Sequence, residues 1–87
     1  MSLKLYTLSE VNNIKESEIL QVTEIAIMDE QIYETDFINF CKFTNLQELC
    51  LVKNNINNIP SEIKNLTNLK ILRIFFNKIL NITWGAI

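Results

Sequence analysis

The side chains able to do chemistry are few in this chain, and their spacing assembles no catalytic set. There is no histidine, which removes the commonest general base and metal ligand. The carboxylate pairs, Asp29 with Glu30 and Glu16 with Glu18, fall in stretches that read as turn and helix, where solvated charge is the ordinary role. No serine stands in a G-x-S-x-G context, and one glycine cannot build a phosphate-cradling loop. Cys41 and Cys50 have neither a histidine nor a third cysteine with which to hold zinc, so no metal and no cofactor is implied. Cys41 fits a small buried apolar position, and Cys50 becomes a reactive thiol only in an exposed, low-pKa setting. The sequons at Asn65 and Asn81 read as products of an asparagine-rich composition. Chemistry by this chain alone is not expected.

Composition narrows the remaining classes. The 87 residues suit one small domain, with 48% apolar and 21% charged side chains. A net charge of −2 with scattered lysines lacks the basic footprint that nucleic acid requires. No charge-free apolar run reaches the roughly eighteen residues that span a bilayer. The opening "MSLKLYTLSEVNN" lacks a basic region followed by a long apolar stretch, so it does not read as a signal peptide. Two cysteines are too few for a disulfide scaffold, and the expected compartment is the cytosol.

What must position any site is a repeat. Leu69, Leu72, Ile74, Asn77, Ile79 and Ile82 lie 23 residues after Leu46, Leu49, Leu51, Asn54, Ile56 and Ile59, with both asparagines in register. Val22, Ile25, Ile27 and Ile32 match the same set with a step of 24, where Glu30 takes the asparagine position. Leu3 and Leu5 match Ile25 and Ile27 with a step of 22, where Leu8 takes it. The pattern L-x-x-L-x-L-x-x-N-x-I-x-x-I resembles the leucine-rich repeat family, specifically over Leu46 to Ile82 and more loosely before Phe43.

The resemblance implies an α/β fold: a short solenoid with a parallel sheet of about four strands on its concave side and helices or turns on its convex side. Residues 1–87 form one domain, with two degenerate units over 1–43 and two regular ones over 44–87, the last incomplete. It also implies that Asn54 and Asn77 bond backbone groups at the turn after each strand. Glu30 can only accept there, and Leu8 can do neither. Period-2 alternation turns the two leucines of each unit to one face, which stacked neighbours bury together.

The return segments carry helix signals. Thr7 stands three residues before Glu10 as a capping box, followed by a stripe of Val11, Ile14, Ile19 and Leu20. Thr35 or Asp36 is a cap for a helix turning Phe37, Phe40, Cys41 and Phe43 inward. Pro60 suits a first turn, with Ile63 and Leu66 inward.

The alternate strand positions face the other way. One column there is Tyr6, Met28, Val52 and Phe75, apolar in every unit. Beside it run Lys4, Ala26, Cys50 and Arg73, then Glu24, Glu48 and Ile71, and at the strand ends Asp29, Lys53 and Phe76. A contiguous exposed apolar stripe marks an interaction site. Tyr6, Met28, Val52, Phe75 and Phe76 are the expected anchors for a protein or peptide partner. Glu48, Cys50, Lys53 and Arg73 flank them, with Glu24 adding polarity. The competing reading is that these residues pack on one another, or that Phe75 and Phe76 cover an open end.

At the other end of the array, "NITWGAI" aligns with the return segment "NIPSEIK". That leaves Trp84 and Ile87 beside an uncapped edge, through which copies could meet as a homo-oligomer. A protein-recognition module is therefore expected. A self-assembling structural protein and the substrate-recruiting fragment of a larger enzyme are the alternatives.

Overall fold

The computed structural model describes residues 4–56, 58–75 and the backbone of the strand at 82–85. In chain order the elements are β1 (Leu5–Tyr6), α1 (Leu8–Asn12), a 3₁₀ helix (Glu16–Gln21), β2 (Glu24–Met28) and α2 (Glu34–Phe40). They continue with β3 (Glu48–Val52), a second 3₁₀ helix (Ser61–Asn65), β4 (Ile71–Phe75) and β5 (Ile82–Gly85). The strands form one sheet in sequence order, β1 to β4 parallel and β5 antiparallel to β4.

The registers of the central strands follow the repeat. β2 pairs with β3 from Glu24 opposite Glu48 to Met28 opposite Val52, and β3 with β4 from Glu48 opposite Ile71 to Val52 opposite Phe75. These are the steps of 24 and 23 that the sequence predicts. They set Ile25, Leu49 and Leu72 in one row and Ile27, Leu51 and Ile74 in the next, all buried. The rows pack against Val11, Phe37, Phe40, Phe43, Leu46 and Leu69 in a single core. Neither strand face nor helix stripe could be dried alone, so each strand unit depends on its neighbour.

The first strand departs from expectation. Leu5 pairs with Ala26 and Tyr6 with Ile27, a step of 21 rather than 22. A slip of one residue exchanges the two faces of a strand. Tyr6 therefore packs against the core, and Leu5 stands 58% exposed on the opposite face. Tyr6 has the larger apolar surface to bury, and its ring also takes Lys4 Nζ 4.6 Å from its centroid. The following turn keeps the expected step, because the Leu8 amide reaches the Glu30 side chain 22 residues on.

The return segments are shorter and tighter than the sequence suggests. The capping box forms as expected: the Glu10 amide donates to Thr7 Oγ1 at 3.0 Å and the Thr7 amide to Glu10 Oε1 at 2.8 Å. The Thr7 amide is also the main reason the Glu10 carboxyl is held below its usual range. Yet α1 ends at Asn12, and the 3₁₀ helix that follows leaves Leu20 outside the apolar stripe, exposed. The cap of α2 is Tyr33, not Thr35 or Asp36; Asp36 sits three residues inside and accepts from the Tyr33 amide at 3.0 Å. Phe37, Phe40, Cys41 and Phe43 are buried as predicted. Pro60 precedes the second 3₁₀ helix rather than entering it.

The largest correction lies at the end of the chain. Residues 82–85 are not a return segment: they form β5, with Ile82 opposite Ile74 and Gly85 opposite Ile71. The edge of β4 is therefore paired rather than open.

Candidate functional site

The face of the sheet turned away from the core carries the candidate site. The register lines up three rows across it. The first is Glu24, Glu48 and Ile71; the second is Leu5, Ala26, Cys50 and Arg73; the third is Met28, Val52 and Phe75. Adjacent strands lie about 4.8 Å apart, so the third row is a ladder of three apolar side chains at that spacing. Met28 is 44% exposed, and Val52 and Phe75 are partly exposed. These β-branched, aromatic and thioether side chains suit a pleated surface and also offer soft contact area.

The second row is the floor. Ala26 is only 3% exposed, because its methyl lies between Leu5 and Cys50. Burial is the main cause raising the Cys50 thiol above its usual pKa. The Arg73 charge works against that shift, and Glu48 adds to it. Cys50 is thus a neutral thiol at ordinary pH, not a nucleophile. Arg73 Nη1 donates to Glu48 Oε2 across the boundary between the first and second rows, with both side chains partly exposed. This diagonal pair sets the two opposite charges against each other beside the apolar row.

Where the row ends, the chain turns sharply. Asp29 and Lys53 adopt φ of 61° and 57°, and their amides donate to Val52 and Phe75 carbonyls at 3.0 Å. Neither is glycine, so each holds a left-handed conformation at a cost of about 1–2 kcal/mol. Both side chains stay exposed beside the row. Behind this turn lies Asn54, fully buried. Its Nδ2 donates to the Ile27 carbonyl at 3.0 Å, and its Oδ1 accepts from the Glu30 amide at 2.9 Å. Glu30 repeats the accepting half one unit earlier, with Oε2 2.7 Å from the Leu8 amide. A second asparagine ladder runs before the strands, with Asn68 Nδ2 bonded to the Thr44 carbonyl and Asn45 Nδ2 to that of Leu20.

Of the residues singled out in the sequence, Met28, Glu48, Cys50, Val52, Arg73 and Phe75 share this face, and Lys53 borders it. Tyr6 does not join the row, because the slip in β1 turns it towards the core. Leu5 takes a place on the outer face instead. Phe76, Asn77 and Ile79 lie outside the described residues, as do the side chain of Trp84 and all of Ile87.

The carboxylate pairs are dispersed in role. Glu30 is engaged by Leu8, while Glu16 and Glu18 are exposed on a 3₁₀ helix. Among the described residues no group of three Cys, Asp or Glu side chains could hold a metal ion, and no helix is long and apolar enough to cross a membrane. Clefts beside Tyr33 and beside Tyr6 open elsewhere and do not reach the row. No protein-family model matches the chain, and neither a curated protein nor a solved structure matches it.

Proposed function

We propose that this protein is a leucine-rich-repeat module, a short solenoid that binds a protein or peptide partner on the concave face of its sheet without catalysis of its own. The central registers of 24 and 23 residues and the buried Asn54 support the repeat reading. The observation that carries the binding reading is the row Met28–Val52–Phe75, partly exposed on a sheet whose other face is dry. The strands already fix the backbones, so the aromatic anchor binds at little entropic cost and the flexible thioether of Met28 adapts its shape to the partner. The neutralised Glu48–Arg73 pair leaves Glu24, Asp29 and Lys53 to set the polarity around them. Two free thiols agree with action in the reducing cytosol.

The partner should present apolar side chains about 5–6 Å apart, close to the spacing of neighbouring strands, as one face of a helix does. Selecting binders from a displayed random-peptide library on the immobilised protein tests this. Bound clones should lose at least about tenfold in affinity, or about 1.4 kcal/mol, against Phe75→Ala or Met28→Ala proteins that melt like the original. Clones that bind the original and both folded variants equally would place recognition elsewhere.

A further inference from the structure

The last strand of the sheet carries a consequence beyond partner recognition. β5 ends the strand order: one side of its backbone pairs with β4, and among the described residues no strand pairs with the other side. Its residues, Ile82, Thr83, Trp84 and Gly85, include no charge and no proline. Natural sheets blunt their edges with charge, proline, bulges or very short strands, because a bare edge templates pairing with another chain. The opposite edge follows that rule. β1 is two residues long and is preceded by Lys4.

We propose that β5 is a self-pairing edge, joining β5 of a second copy in antiparallel register to make a closed two-fold dimer with one continuous sheet. Symmetry selects this occupant. An antiparallel pair of identical strands is related by a two-fold axis perpendicular to the sheet, so each edge satisfies the other and the assembly closes. Head-to-tail pairing of β5 with β1 would instead propagate a filament, but β1 offers only two residues against four. With a net charge of −2 per copy, long-range repulsion is too small to oppose contact at physiological salt. The two-fold axis also keeps both outer faces on the same side, so the two Met28–Val52–Phe75 rows would share one surface. Four residues per edge make a small interface, which predicts a weak, concentration-dependent dimer rather than an obligate one.

Sedimentation equilibrium tests this over a concentration series reaching on the order of 100 µM, since interfaces below about 1,200 Å² belong to weak complexes. The mass should rise from 10.2 kDa towards twice that value. Consecutive residues of an antiparallel strand turn their amides to opposite sides, so one of Thr83→Pro and Trp84→Pro removes an edge donor while the other removes a bond to β4. The variant that keeps the original melting profile should stay at 10.2 kDa at every concentration. Amide exchange provides a readout that needs no substitution: protection within 82–85 should increase with protein concentration. A mass fixed at 10.2 kDa overturns the proposal, as does dimerisation untouched by both substitutions or exchange in β5 that ignores concentration. The peptide selection described above reads Met28 and Phe75 rather than β5, so loss of the dimer would leave the recognition reading standing.

Discussion

Replacing Asn54 with Ala should destabilise the fold far more than its small volume suggests. The side chain is fully buried and serves two backbone groups of the preceding unit, accepting from the Glu30 amide and donating to the Ile27 carbonyl. Alanine leaves both without that partner. An unsatisfied buried backbone group costs about 1–3 kcal/mol, and the Glu30 amide, only part-buried, belongs at the low end. The sum is roughly 2–5 kcal/mol, against a total of roughly 4–13 kcal/mol for a domain of this length. With a urea slope of about 1–2 kcal/mol/M, the midpoint should fall by about 2 M. Asn54→Asp separates the two bonds. Its ionised carboxylate can still accept from Glu30 but offers Ile27 no proton, while its neutral form does both. Folding therefore raises the pKa of the new carboxyl above its unfolded value of about 3.9. The stability it supports is full below that value and is lost as pH rises through the folded pKa. The Asp variant should thus approach the original at about pH 4 and fall away by about pH 7. An alanine variant within about 0.5 kcal/mol of the original, or an Asp variant whose deficit ignores pH, would refute the structural role given to Asn54.

The two faces of β4 should respond differently to truncation. Leu72→Ala, in the core row, should cost about 2–5 kcal/mol by urea melting, and Phe75→Ala on the outer row less than half of that. The thiols should be slow to alkylate, because burial pushes Cys41 up to about 11, with Glu62 adding to the shift, and burial also raises Cys50. Iodoacetamide at neutral pH should modify Cys50 slowly and Cys41 only after unfolding, as read by mass spectrometry. Since the folded pKa of Cys41 is the higher one, its contribution to stability is complete below the unfolded value of about 9 and disappears as pH rises towards about 11. Lys53→Gly, at φ 57°, should raise the thermal midpoint, because relief of the left-handed strain of about 1–2 kcal/mol outweighs the roughly 0.5–1 kcal/mol of added chain entropy.

What was legible in the sequence is what two independent signals specify together. β2, β3 and β4 each carry branched or leucine side chains at alternate positions. The aligned Asn54 and Glu30 positions then fix where β3 and β2 end, leaving one register for β2 against β3. The row Met28–Val52–Phe75 follows from that register without further information. β1 lacked the second signal. Leu3 with Leu5 and Lys4 with Tyr6 are both period-2 sets, and Leu8 cannot anchor the turn through its side chain. The choice between them fell to a tertiary term, the burial of the Tyr6 ring against the core. β5 departs from the repeat for a related reason. Ile82 and Thr83 align with Ile59 and Pro60, and the alignment carries the fate of one segment over to the other. Proline denies a strand its ladder donor, whereas threonine and tryptophan favour one. Pro60 leads into a 3₁₀ helix, whereas Thr83 lies in a strand paired with β4. β5 covers the edge that the repeat would have left bare at β4 and moves it one strand further out. Among the described residues the unpaired side now belongs to four uncharged residues, which is why we propose self-pairing at β5 and recognition at the outer row.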